Sequence, residues 1–156
     1  MAFDTIGFHV TKSVLNPGSI IEPGNWGRII KAIGPNHQHH AREMEFEDVR
    51  AGEFPDKQSR LTSCFVWPTL KDAKWYREHH HKTDFIYEIR FDQELPLHQG
   101  VFLLVNTPPN MTRRESIVHY WKFDHGVHWD QDPTYMPIEI VTASPLVVRD
   151  TINLCL

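Results

Sequence analysis

Alternation of apolar and polar positions predicts several short strands. The clearest pattern lies in residues 84–91, where Phe85, Tyr87, Ile89 and Phe91 fall on one face, and Ile86, Glu88 and Arg90 fall on the other. Shorter apolar runs predict further strands at residues 5–11, 20–21, 60–67, 101–105, 138–141 and 146–151. Eleven Pro and eight Gly, spread along the chain, favour many short elements over long helices.

Helix signals are fewer than strand signals. Thr69 and Thr112 are each followed three positions later by an acidic residue, which resembles a capping box and predicts a helix start at both places, the second helix running to about Phe123. Residues 26–33 and 36–49 fit either a helix or a surface segment. Helices and strands do not alternate regularly, so we expect an α+β fold with a mainly antiparallel sheet and a few short helices.

Composition and charge narrow the class of protein. The 156 residues fit a single domain over residues 1–156, and the 40 % hydrophobic and 12 % aromatic content suffices for a core. A net charge of −4 gives no electrostatic footprint for duplex DNA or an anionic membrane. We find no apolar stretch of about 18 residues that would span a membrane. Two cysteines, Cys64 and Cys155, and the absence of a signal peptide pattern predict a reducing, cytoplasmic location.

Eleven histidines are the most unusual feature of the composition. They include two clusters, at His37, His39 and His40 and at residues 79–81. Three consecutive helical residues point about 100° apart and cannot ligate one ion together, and imidazolium groups suit a helix C-terminus without any metal. We therefore predict no metal site. Metal analysis of the purified protein would test the alternative that the chain is a small zinc protein.

Familiar catalytic motifs do not occur in the sequence. It lacks G-x-S-x-G, a P-loop and G-x-G-x-x-G. Cys64 lies in an apolar run, where a free thiol is more typical of a core than of a nucleophile. His9 is a lone histidine in an apolar strand and, taken by itself, fits a buried core residue.

Several short segments, taken in order, resemble the ADP-ribosyltransferase superfamily. They are similar to rifampin ADP-ribosyltransferases and related small bacterial enzymes, and also to an uncharacterised bacterial domain family with a Tyr-Trp pair like Tyr120-Trp121. The strand with His9 resembles the first signature of the superfamily, and the strand with Glu139 resembles the one that carries the catalytic glutamate. The resembling segments are residues 8–13, 18–24, 64–73, 86–91 and 137–141.

The resemblance implies an ADP-ribosyltransferase-like domain that uses NAD as co-substrate. It would transfer ADP-ribose to a protein, nucleic acid or small molecule and release nicotinamide. His9 matches the histidine that hydrogen-bonds the nicotinamide ribose, and Thr11 matches the usual small hydroxyl residue. Val10 stands where many members have a glycine whose backbone holds the nicotinamide amide. Glu139 matches the catalytic acid.

Two further roles are open among several residues. Phe65, Trp67 and Tyr76 all lie near the position of the aromatic residue that stacks on nicotinamide. Arg28 or Arg60 could pair with the pyrophosphate through two parallel hydrogen bonds. The chemistry suits these residue types, because cleavage of NAD passes through an oxocarbenium-like state that a nearby carboxylate stabilises.

Other functions remain open on the sequence. The chain fits an inactive nucleotide-binding or protein-interaction domain with exposed aromatic residues Trp26, Tyr120 and Trp129. An RNA 2′-phosphotransferase needs a pair of Arg and a pair of His around a phosphate, of which Arg60 and His9 would supply half. In either enzyme, residues 35–57 and 108–114 are expected to shape the choice of acceptor, the first as a mobile lid.

Overall fold

Two antiparallel sheets form the framework of the chain, which we describe from a computed structural model covering residues 2–124, 129 and 132–154. The first sheet has the order β1 (Thr5–Thr11), β4 (Phe85–Phe91), β7 (Leu146–Thr151), β2 (Ile20–Ile21). The second has the order β3 (Cys64–Val66), β6 (Ile138–Thr142), β5 (Leu97–Val101). Every strand pair within them is antiparallel. The predicted α+β fold with a mainly antiparallel, split sheet is confirmed.

Four short α-helices surround the sheets in the described part of the chain: α1 (Asn25–Ile33), α2 (His40–Glu53), α3 (Leu70–His80) and α4 (Arg113–Lys122). Thr69 accepts a hydrogen bond from the Asp72 backbone N–H, and Thr112 forms a complete capping box with Glu115. Both predicted helix starts are therefore confirmed, because the caps satisfy backbone donors that a helix N-terminus leaves free.

The segment after Gly34 agrees with the helix that was one of two predictions for residues 36–49, and it differs from the lid expected over residues 35–57. Its main part is α2, which buries Glu43, Phe46 and Val49. Trp121 donates from its indole Nε1 to the Phe46 carbonyl over 3.1 Å and ties α2 to α4. Helix α2 is thus a packed element of the fold.

Two predicted strands need correction. Residues 60–67 begin with a 3₁₀ turn, Arg60–Thr62, held by the Ser59 hydroxyl accepting from the Leu61 N–H, and only Cys64–Val66 is strand. Residues 101–105 are mostly the 3₁₀ turn Phe102–Leu104. The apolar run at residues 101–105 reflects burial of this turn. The strand, β5, lies mainly before it, and because β5 contains the polar residues His98 and Gln99, its sequence lacks a clear strand pattern.

The core has two parts, which β4 separates. Tyr87, Ile89 and Phe91 belong to one hydrophobic cluster, whereas Ile86 belongs to the other. This division confirms the alternation predicted for β4, because successive side chains of a strand point to opposite faces. The second cluster also holds Tyr120 and Trp121, two of the largest fully buried side chains of the described residues.

A backbone bridge between Phe8 and Trp67 joins the two sheets. Phe8 and Trp67 exchange backbone hydrogen bonds, the Phe8 N–H to the Trp67 oxygen at 2.9 Å and the Trp67 N–H to the Phe8 oxygen at 2.7 Å. This bridge places β1 beside the residues around β3, and the cavity opens next to it. Within the described residues we find no helix with the length and apolar character needed to cross a membrane.

Candidate functional site

One cavity of about 530 Å³ brings together nearly all of the residues predicted for the site. Its lining includes His9, Val10, Arg60, Phe65, Trp67, Tyr76 and Glu139. Two predicted residues lie elsewhere. Thr11 is at the end of β1, where its hydroxyl accepts from the Ser13 N–H, and Arg28 is exposed on α1.

His9 is fixed by a single backbone contact. Its Nδ1 lies 2.8 Å from the Phe65 carbonyl oxygen. A carbonyl only accepts, so Nδ1 carries the proton and, in the neutral ring, Nε2 is left as an acceptor. Burial lowers the pKa of His9, although the Phe65 hydrogen bond opposes this, which favours the neutral form. His9 can therefore receive a hydrogen bond from a ligand hydroxyl.

Glu139 is held in place through one of its oxygens. Its Oε1 accepts from the Arg60 Nη1 and from the Tyr120 hydroxyl, the latter at 2.7 Å. No hydrogen bond to Oε2 is recorded among the described residues, and Glu139 lines the cavity. Burial and then the charge of Glu139 raise the pKa of Tyr120 far above its usual value, which keeps the hydroxyl protonated as a donor.

Arg60 lies at the centre of this buried network. Its Nε and Nη2 donate to Glu43 at 3.0 and 3.1 Å, and its Nη1 donates to Glu139 and to Tyr120. Burial opposes its charge, but Glu139 and Glu43 hold the pKa of Arg60 well above the usual value. All three nitrogens are thus occupied within the protein. This corrects the prediction that Arg60 is free to pair with a pyrophosphate.

Glu43 completes the charge balance behind the cavity. Burial alone would raise its pKa, yet the Arg60 and Arg42 guanidiniums lower the pKa of Glu43 to about 2. Its side chain is fully buried. The positive charges of Arg42 and Arg60 therefore balance the negative charges of Glu43 and Glu139, as buried charges require.

An aromatic wall lines another part of the cavity. The rings of Trp67 and Tyr76 lie 4.7 Å apart at 34°, and Phe102 meets both edge-on. Trp67 is only 4 % exposed, so it serves mainly as packing, whereas Tyr76 and Phe65 are half-buried and leave part of a ring for a ligand. Burial and then Glu139 raise the pKa of Tyr76 to about 12, which keeps it neutral.

Four further residues that line the cavity were not predicted for this site: Trp26, His37, His39 and Arg42. Arg42 donates from Nη1 to Asn106 Oδ1 at 2.8 Å and from Nη2 to Glu43 at 3.0 Å. The sequence signal for these residues was weak. Arg42 and Glu43 follow the His cluster directly, and such a polar segment is equally typical of the exposed surface of a helix.

Two of the alternative functions can be compared with the described residues. No group of three or more His, Cys, Asp or Glu side chains in residues 2–124, 129 and 132–154 is placed to hold a metal ion. Of the three aromatic residues proposed for an exposed interaction surface, Tyr120 is fully buried, and Trp129 packs against the core. Cys64 is free and buried, and burial raises its pKa to about 12; Cys155 lies outside the described residues.

A comparison with protein families shows to which family the chain belongs. The model of a family described as "Protein of unknown function (DUF2441)" matches residues 7–132. The chain belongs to this family. The DUF2441 match includes His9, Arg42, Arg60 and Tyr76, while Glu139 falls beyond its end. No curated protein matches the chain.

Proposed function

We propose that this protein is an NAD-dependent ADP-ribosyltransferase of the superfamily that its motifs resemble. The observation that carries the proposal is the common cavity of His9, Tyr76 and Glu139, which come from β1, α3 and β6. Its volume of about 530 Å³ lies in the range of small-molecule sites. A neutral histidine, a partly exposed aromatic ring and an oriented carboxylate are the groups this reaction uses.

In the proposed reaction, the bond between nicotinamide and ribose C1′ breaks. Its electron pair leaves with neutral nicotinamide, and the acceptor nucleophile bonds to C1′ and loses its proton. Glu139 would accept a ribose hydroxyl hydrogen bond at Oε2 and stabilise the positive charge that develops on the ribose. His9 would accept a second ribose hydroxyl at Nε2, and Tyr76 or Phe65 would stack on the nicotinamide ring.

The acceptor is a protein, a nucleic acid or a small molecule in this proposal. Asn106 and the wall residues Trp26, His37, His39 and Arg42 border the same cavity and would bear on acceptor choice. We keep the cytoplasm as the proposed location, because Cys64 is a free, buried thiol, as is usual in reducing compartments.

A second candidate is an RNA 2′-phosphotransferase. That chemistry needs arginine and histidine side chains around a phosphate, and Arg42, His37 and His39 line the cavity together with His9. Loss of the 2′-phosphate from an oligonucleotide, with its appearance on the ADP-ribose of NAD and release of nicotinamide, would favour this candidate over transfer of ADP-ribose to another acceptor.

An assay of nicotinamide release from NAD, measured by chromatography and with water serving as the acceptor, tests the main proposal. We expect the wild-type protein to release nicotinamide and Glu139→Gln to lose at least about 10²-fold in turnover while still binding NAD. Glu43→Gln is the matched control, since it removes the other carboxylate of Arg60 but leaves the cavity carboxylate in place. Equal losses in both variants would mean that the ion network shared by Glu43, Arg60 and Glu139, and not a specific role of the Glu139 carboxylate, causes the loss.

A further inference from the structure

The proposed reaction requires a group that takes the proton of the acceptor, and two polar residues of the cavity are already in use. Glu139 is fixed by Arg60 and Tyr120 at Oε1, and its Oε2 is assigned to a ribose hydroxyl. His9 donates from Nδ1 to the Phe65 carbonyl, and its Nε2 is assigned to a second ribose hydroxyl. The acceptor proton therefore needs another base.

Five histidines line the cavity, and within the described residues one of them contacts a carboxylate at ion-pair distance. The five are His9, His37, His39, His80 and His81. Nδ1 of His81 lies 3.4 Å from Oδ2 of Asp84. Because a carboxylate only accepts hydrogen bonds, the neutral ring keeps its proton at Nδ1 and leaves Nε2 as an acceptor. His81 therefore has the tautomer that a general base needs.

A tight turn after α3 holds this pair in place. The His81 backbone N–H donates to the Arg77 carbonyl at 2.9 Å, and the Asp84 N–H donates to the His81 carbonyl at 2.9 Å. Arg77 also donates from Nε to the Asp84 carbonyl at 2.6 Å. The Asp84 side chain is 13 % exposed, whereas the His81 side chain is 47 % exposed. A mostly buried carboxylate thus orients an imidazole that is accessible from the cavity and from solvent.

Tyr76 connects the His81–Asp84 pair with the rest of the cavity. The rings of Tyr76 and His81 lie 5.0 Å apart at 31°, and Tyr76 also packs on Trp67. Burial, then the charges of Glu139 and Asp84, raise the pKa of Tyr76 to about 12. Since charge interactions weaken with distance, both carboxylates lie near this one phenol group. His81 and Glu139 therefore border the same region of the cavity.

We propose that His81, oriented by Asp84, is the general base that deprotonates the acceptor; this role rests on the proposed function. A lone pair of the acceptor oxygen forms the bond to ribose C1′, while the C1′–N bond breaks and its electron pair leaves with nicotinamide. The acceptor proton passes to Nε2 of His81, and Asp84 stabilises the imidazolium that results. The half-exposed ring then releases this proton to solvent.

Rescue with azide tests this role, because azide bonds to C1′ without a proton to lose. Nicotinamide release and the sugar product are measured with water as acceptor, and again with sodium azide against an equal concentration of sodium chloride. His81→Gln should lower turnover with water about 10²-fold and leave the KM for NAD near the wild-type value. Asp84→Asn should lower turnover about tenfold. In His81→Gln, azide should restore nicotinamide release and yield ADP-ribosyl azide.

His119→Gln is the matched control for the loss of a paired histidine. Nδ1 of His119 also contacts a carboxylate, that of Asp124 at 3.1 Å, but His119 does not line the cavity. This variant should release nicotinamide like wild type and gain no more from azide than wild type does. Thermal unfolding confirms that every variant is folded.

The proposed activity and the role of His81 fail in different ways. If wild type releases nicotinamide and folded His81→Gln does so at the same rate, the activity stands and His81 is not the base. Failure of azide to rescue His81→Gln, or an equal loss in His119→Gln, would also overturn the role of His81. If wild type releases no nicotinamide with water or azide, the proposed transferase activity falls, and the role of His81 falls with it.

Discussion

Arg60 and Glu139 form a buried ion pair between a 3₁₀ turn and a strand that are 79 positions apart in the sequence. Both side chains are 5 % exposed or less. The pair orients Glu139 toward the cavity through one oxygen, and Glu43 holds Arg60 from the other side. The orientation of the Glu139 carboxylate therefore depends on Arg60 and Glu43. No sequence motif connects these two residues with Glu139.

Replacement of Arg60 should be among the most destabilising substitutions in the protein. Arg60→Met leaves Glu43 and Glu139 buried without their main cation, and such a loss costs about 3–5 kcal/mol in free energy of unfolding. Denaturant unfolding measures this loss directly. Because proteins of this size are stable by only about 5–15 kcal/mol, partial unfolding at room temperature is also an expected result.

The triple variant Arg60→Met, Glu43→Gln, Glu139→Gln separates unpaired charge from lost packing. It removes the buried charges together and should recover a large part of the stability that Arg60→Met loses. A triple variant that is less stable than Arg60→Met would contradict the view that unpaired carboxylates cause the loss.

Glu43 should make the protein sensitive to strong acid. Its pKa is about 2 in the folded protein against a usual value of 4.5, so its contribution is complete above pH 4.5 and is lost as the pH falls toward 2. The lowered pKa corresponds to about 3 kcal/mol. Urea unfolding between pH 5 and about pH 3 should show this decline in wild type and a shallower one in Glu43→Gln. Parallel slopes would refute the assignment.

Much of the fold could be predicted because its signals are local. The capping box of Thr112 and Glu115 and the alternation in β4 depend on residues within one element. The two misassigned runs, residues 60–67 and 101–105, are mostly buried, so their sequences show no clear helical or strand period. Tertiary packing, not local preference, decides their conformation.

The residues of the candidate site also differ in whether a local sequence signal identifies them. His9 and Glu139 were found through short motifs that resemble a known superfamily, and they do line one cavity. Glu43 and Arg42 lie in a helix whose sequence reads as solvent-exposed, HAREMEFED. A fully buried glutamate is recognisable only once Arg60, 17 positions away, is known to face it.

His98 should destabilise the protein in mild acid. Its Nε2 lies 3.0 Å from the Tyr120 carbonyl, which requires an N–H there, and burial lowers its pKa from 6.5 to about 4. Between these values the unfolded chain binds a proton that the folded chain does not, so stability falls as the pH drops from 6.5 toward 4. His98→Gln, which can keep a donor, should flatten this part of the profile. An unchanged profile would assign the effect to another group.

Gly100 should be essential for the position of Tyr120. Gly100 pairs with Glu139 across β5 and β6, and a Cβ at Gly100 would lie 2.1 Å from Cε2 of the Tyr120 ring. The buried ring has no room to move, so Gly100→Ala should lower the free energy of unfolding by about 1–3 kcal/mol or more. If Glu139 is catalytic, turnover should also fall, because the Tyr120 hydroxyl orients that carboxylate. Urea unfolding and nicotinamide release measure the two effects.

Gly52→Ala is the control for this substitution. Gly52 lies in the last turn of α2, and apart from its own helix backbone and chain neighbours no atom lies within 4 Å of the position of an added Cβ. Alanine is a better helix former than glycine by up to about 1 kcal/mol, so Gly52→Ala should leave stability unchanged or raise it, and turnover should stay at the wild-type level. If Gly100→Ala were as stable and active as Gly52→Ala, the close packing of Tyr120 against β5 would be disproved, and with it the route by which Tyr120 orients Glu139.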